Sequence, residues 1–174
     1  MSTPPPASAA AREQAIETAW RIHEAVGEWT ARVDAKASFA LTLQSAAIAG
    51  ILALTSDDHR LAHLHGWGSL TLLWSGVVLI MVGAVFAMLV VVPRLRAKDM
   101  QTEAPDNFIY FGHLRLRTAD ELAAALQQHD PLPVLSRQLI VISRIAWVKH
   151  QHVQWSFRFF LAGAAVVFLA GVSG

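Results

Sequence analysis

Few side chains in this sequence have the type and spacing that chemistry requires. Asp34, Lys36 and Ser38 alternate with alanines just ahead of an uncharged run. On a helix the i and i+2 positions point in different directions. Lys36 can therefore reach lipid headgroups, whereas Asp34 is short and of the wrong sign for an anionic surface, and requires a partner. Arg158, at a similar depth ahead of the last apolar run, is the expected one. Gln44 stands inside an apolar run, where a polar group either bonds across helices or faces a water path. Asn107, Tyr110, Phe111 and Gly112 form a second cluster with Arg115 and Arg117. Its rings either pack on a core or stack on a planar ligand whose anionic group meets the arginines. His59, His63 and His65, with Asp57 and Asp58, have metal-ligating side chains. Nothing polar nearby offers outer support, so a solvated loop is expected there, with no metal and no cofactor.

Catalytic signatures are missing. The chain has no G-x-S-x-G, no H-E-x-x-H and no phosphate-cradling glycine loop, and its cysteine count is 0. Thiol catalysis, disulfides and cysteine-based metal centres are thereby excluded. The expectation is a protein that is not an enzyme.

The elements that must hold these residues are helices in lipid. The chain is 54% hydrophobic and 16% charged, against roughly 25% charged in soluble domains. Ala37 to Leu54 is uncharged and, as a helix, about 27 Å long, near the ~30 Å of a bilayer core. Ser38, Thr42, Ala46 and Gly50 recur in it at spacing four, a pattern that lets another helix approach closely. Leu70 to Val92 is a second uncharged run, stopped by Pro93 and followed by Arg94, Arg96 and Lys98. Phe159 to Gly174 is a third, slightly short, which may be counted from Trp155.

The polar segments read as helices too. Residues 1–9 lack the basic start and apolar core of a signal peptide and read as a disordered tail. Residues 10–36 form an amphipathic helix, with Ala15, Ala19, Ile22, Val26, Trp29 and Val33 on one stripe, and no proline separates it from the first span. Its outer face carries Glu13, Glu17, Glu24 and Glu28. In 93–158, Pro105 to Arg117 reads as a turn and a short extended or irregular piece. Thr118 and Glu121 match a capping box, and a long helix from near Leu132 carries Leu135, Leu139, Ile142, Ala146, Lys149 and Val153 along one stripe, with Arg137 and Arg144 opposite. Either these are ordinary solvated faces or, with the two apolar stripes packed together, the acidic and basic faces meet between copies of the chain, a contact that closes into a ring if the rotation permits.

The expected fold is an all-α membrane protein with transmembrane helices at 37–54, 70–92 and 159–174. An outer loop occupies 55–69, and the N-terminal helix and 93–158 form a cytoplasmic helical bundle. Of the 14 Lys and Arg residues only Arg60 falls in the 55–69 loop. The positive-inside rule therefore puts the N-terminus inside and the C-terminus outside.

The stretches DAKASFAL (34–41), NFIYFGHL (107–114) and SRQLIVISRIAWVKH (136–150), in this order and spacing, resemble the transmembrane effector family of Pycsar antiphage systems. The resemblance implies an effector in the bacterial inner membrane. A cyclic pyrimidine nucleotide, cUMP or cCMP, from a partner cyclase would activate it to impair the membrane as a homo-oligomer, without binding any nucleic-acid polymer. It marks Asp34, Lys36, Ser38, Asn107, Phe111, Gly112 and Lys149 as positions of interest. The alternative is a non-catalytic anchor or adaptor that docks a cytoplasmic partner.

Overall fold

A computed structural model describes residues 8–55, 67–92 and 107–173. Its elements are α1 (Ala9–Leu54), α2 (Trp67–Val91), α3 (Phe111–Leu114), α4 (Ala119–Gln128) and α5 (Pro131–Ser173), and no strand occurs among the described residues. Helices α1, α2 and α5 are long and apolar enough to cross a membrane. In lipid this is the expected outcome, because each helix satisfies its own backbone polar groups. Helix α1 is unbroken over 46 residues, as the lack of an internal proline predicts.

Contacts divide the chain into two compact units. One contains residues 8–29 and 107–146; the other contains 30–55, 67–92 and 147–173. Both α1 and α5 contribute to each unit.

In the unit holding α2, burial follows a seven-residue repeat. Ser69, Leu73, Gly76, Ile80, Gly83, Ala87 and Val90 are buried at alternating spacings of four and three, the seam pattern of packed helices. Val33, Ala37, Ala40 and Gln44 of α1 follow the same rhythm, and Val33, Ala37, Val90 and Val153 form a core cluster with Phe157 against it. Glycine brings α2 and α5 together. A methyl group on Gly163 would lie 2.7 Å from the Gly76 carbonyl oxygen, and one on Gly76 would lie 2.9 Å from that of Gly163.

The close-packing face of α1 differs from the expected one. Ser38, Thr42, Ala46 and Gly50 are all exposed, and no atom lies within 4 Å of a methyl group built on Gly50. Steps of four advance about 40° beyond a full turn each time, so such a row winds around the helix. A seam needs the alternation of four and three. Ser38 and Thr42 instead donate their hydroxyls back to the Asp34 and Ser38 carbonyls, at 3.0 and 3.1 Å.

In the other unit, Ala19 and Val26 of α1 and Leu135 and Ala146 of α5 are buried. Ile22 and Trp29, expected on the same stripe, are exposed; the buried phase passes instead through half-buried His23. From Asn107 the chain is irregular to Tyr110, within the extended or irregular piece expected there, and then makes one helical turn, α3, which was not expected. Thr118 and Glu121 form the capping box of α4: the Thr118 N–H donates to the Glu121 carboxylate at 2.8 Å, and the Glu121 N–H donates to the Thr118 hydroxyl at 3.3 Å. Asp130 opens α5, its carboxylate accepting the Leu132 N–H at 3.1 Å, and pairs with Arg12 of α1.

Candidate functional site

Two polar ties link α1 to α5 within the apolar unit. The first lies at the head of the uncharged run of α1. Lys149 Nζ donates to Asp34 Oδ1 at 2.6 Å and Oδ2 at 2.9 Å. Asp34 therefore has the cationic partner its position requires, but the partner is Lys149 and not Arg158. The reason is phase: Lys149 lies one turn before Val153, on the buried stripe, whereas Arg158 is exposed and stands over the Trp155 ring, 5.0 Å from its centroid. An arginine and a tryptophan paired this way suit a membrane–water boundary. Lys36 is exposed, as is Ser38, so of the Asp34, Lys36 and Ser38 group only Asp34 joins the packed face.

The second tie lies about three turns further along α1. Gln44 is 1% exposed; its Nε2 donates to Ser156 Oγ at 3.0 Å and to the Ser156 carbonyl at 3.3 Å. Gly83 of α2 closes the third side: a methyl group there would lie 3.0 Å from Gln44 Nε2 and 2.9 Å from the Ser156 oxygen. Gln44 Oε1 is buried with no hydrogen-bond partner among the described residues. An amide oxygen desolvated without a donor raises the energy of the arrangement that holds it.

Ser156 and the Gly76–Gly163 crossing escaped the sequence reading. The signal was there: extending the stripe of Lys149 and Val153 by alternating three and four gives Ser156, Phe160, Gly163, Val167 and Ala170, all buried or half-buried.

The aromatic cluster belongs to the other unit and is mostly core. Asn107, Phe108, Gly112 and His113 are buried, and Tyr110 is half-buried with its ring centroid 4.5 Å from that of Phe111. Phe111 is 64% exposed; Arg115, one turn later, is also exposed, and Arg117 is half-buried. Nearby, the hydrogen bond from the Thr118 backbone, then that from its hydroxyl, holds the Glu121 carboxyl below its usual pKa.

The same unit contains a groove the sequence did not reveal. It is about 420 Å³ in volume and lies between α1 (Gln14, Thr18, Ile22) and α5 (Leu132, Ser136). No trio of metal-ligating side chains occurs among the described residues. His59, His63, His65, Asp57 and Asp58 lie outside them.

A family model for the Pycsar effector protein domain matches residues 18–173. No curated protein and no solved structure matches the chain. Three membrane-crossing helices and a family match over almost the whole length place the protein in the membrane as an antiphage defence effector of a system that signals by a cyclic nucleotide from a cyclase. The chain belongs to the Pycsar transmembrane effector (PycTM) family.

Proposed function

We propose that a cyclic pyrimidine nucleotide, cUMP or cCMP, switches this protein from a closed three-helix arrangement to an oligomer that impairs the inner membrane. In this reading the N-terminus and 93–158 face the cytoplasm and the C-terminus lies outside. The carrying observation is the buried Gln44–Ser156 contact with its unpartnered Gln44 Oε1. A closed bundle that leaves an amide oxygen unsatisfied in an apolar surround gains by any rearrangement that supplies a donor. The Asp34–Lys149 pair acts oppositely, holding α1 against α5. A ligand shifts such a balance only by binding the open form more tightly. Exposed Glu13 and Glu24 on α1 and Arg137 and Arg144 on α5 give neighbouring copies opposite charges to join.

The test is expression with and without each cyclic nucleotide while membrane potential and dye entry are followed. One nucleotide should collapse the potential and increase crosslinking between copies. Gln44→Leu, at equal expression, should abolish the response, because it removes the orphaned oxygen and with it the drive to rearrange. A chain that leaves the potential intact with every nucleotide, yet co-purifies with a cytoplasmic partner, is an adaptor.

A further inference from the structure

We propose that the groove between the first turns of α1 and α5 is the nucleotide site, with Gln14 reading the pyrimidine edge and Arg12 taking the cyclic phosphate. The assignment rests on the nucleotide response proposed above and adds where the ligand sits. The groove holds about 420 Å³ and is shallow and open to solvent, so a bound ligand would keep one face in water. Its wall combines apolar Ile22 and Leu132 with the polar side chains of Gln14, Thr18 and Ser136. The Gln14 amide makes no hydrogen bond to a described residue through its side chain, and it presents one donor edge and one acceptor edge. A pyrimidine offers the complementary pair, N3–H and O4 in uracil or N3 and the N4 amino group in cytosine. Turning the amide over suits either. Thr18 donates its hydroxyl to the Gln14 carbonyl at 2.8 Å, which leaves its oxygen free to accept from a ribose hydroxyl.

Arg12 follows the groove-lining Ala11 and supplies a cation next to the groove, outside its wall. Arg12 pairs with Asp130, joining the two helices that form the groove. Both side chains are partly in solvent, so the pair is weak and a phosphodiester anion can take the guanidinium. Asp130 is not stranded by this, because it still accepts the Leu132 N–H at the start of α5. Binding thus exchanges a tie between helix ends for one made through the ligand. Since α1 and α5 each continue into the membrane-crossing unit, the exchange acts on the two helices that Asp34 and Lys149 hold. Thr18, Ile22, Leu132 and Ser136 of the groove fall within the family-matched residues 18–173, and Arg12 and Gln14 lie just ahead of them. The exposed Phe111–Arg115 face offers stacking, but its polar neighbours Asn107 and His113 are buried.

Equilibrium binding of labelled 3′,5′-cUMP and 3′,5′-cCMP to the full chain in detergent tests the assignment, with size-exclusion retention confirming that each variant is folded. Wild type should bind at least one of the two. Gln14→Leu and Arg12→Gln, both at exposed positions, should each weaken binding by about tenfold or more, the loss expected when a polar or charge-assisted contact goes. Phe111→Ala should stay within about twofold of wild type, since no contact to the ligand is removed. Wild-type binding that survives both groove variants, or that Phe111→Ala abolishes, overturns the site while leaving the nucleotide response intact. Binding of neither nucleotide by wild type overturns both.

Discussion

Long-range polar contacts join α1 to α5 in both units, but in different surroundings. Arg12, exposed, meets half-buried Asp130, and the same unit adds exposed local contacts such as Arg21–Glu17 at 2.5 Å. In the membrane-crossing unit Gln44 meets Ser156 in full burial, and Asp34 meets Lys149 beside an apolar core cluster. Water can replace any partner lost in the first setting. At the Gln44–Ser156 contact a lost partner leaves a group that only another protein group can satisfy, whereas Asp34, 39% exposed, keeps access to solvent. Contacts in the solvated unit can therefore be exchanged with water readily, while the Gln44–Ser156 contact in the apolar unit cannot. That division suits a protein that receives a signal in one unit and changes state in the other.

Backbone approach should give the largest contrast. Gly163→Ala places a methyl group 2.7 Å from the Gly76 carbonyl oxygen and 2.7 Å from Ile80 Cγ1, so α2 and α5 must move apart. A cost of about 1–3 kcal/mol is expected, read as a lower thermal midpoint in detergent. Gly50→Ala is the control on α1, where nothing lies within 4 Å. It should leave the midpoint unchanged or raise it, alanine being the better helix former by roughly 1 kcal/mol. Equal losses at both glycines would mean that the α2–α5 crossing is not where the close packing lies.

The ion pairs should differ less. Lys149→Met strands Asp34 at the edge of the apolar unit, whereas Glu17→Ala removes one end of an exposed pair one turn apart on a single helix. The second change should cost about 0.3–0.5 kcal/mol and the first about 1 kcal/mol or more, with high salt narrowing the gap little. The double variant Asp34→Lys with Lys149→Asp should recover most of the loss. Lys149→Met should also raise dye entry in the absence of nucleotide, if the pair holds the closed form.

Much of this architecture was readable from residue order because lipid imposes strong rules. Uncharged length marked the three crossing helices, and the Thr118–Glu121 spacing marked a helix start that the structure contains. Asp34 was legible as a residue in need of a cation, since a lone carboxylate at the head of an apolar run is costly. Its choice of Lys149 over Arg158 was not, because that depends on rotation about α5, which charge and depth leave open. Rotational phase also decides that no described helix of the same chain packs on Ser38, Thr42, Ala46 and Gly50, whose spacing lacks the alternation of four and three seen in the buried seam. The groove beside Gln14 had no signal at all, being built from two segments more than a hundred residues apart.

A purely local effect lies in the solvated unit, at the α4 capping box. Thr118→Ala removes the hydroxyl that accepts the Glu121 N–H and should cost about 1 kcal/mol of local stability. Glu121 adds a pH dependence. Its carboxyl is held below the usual value in the folded chain, chiefly by the Thr118 N–H, so the unfolded chain takes up its proton first as pH falls. The stabilisation is therefore fully present above the ordinary glutamate range and is lost as pH drops through the folded value. Amide exchange at Leu122, whose N–H donates to the Thr118 carbonyl at 3.1 Å, should quicken relative to its intrinsic rate on acidification. Glu121→Gln should flatten that dependence while keeping the helix, because its amide oxygen can still accept from Thr118. The contrast with the Gln44 node is then direct: a contact in water titrates away smoothly, whereas one in an apolar surround has no ionisable group to lose and should show no change over the same range.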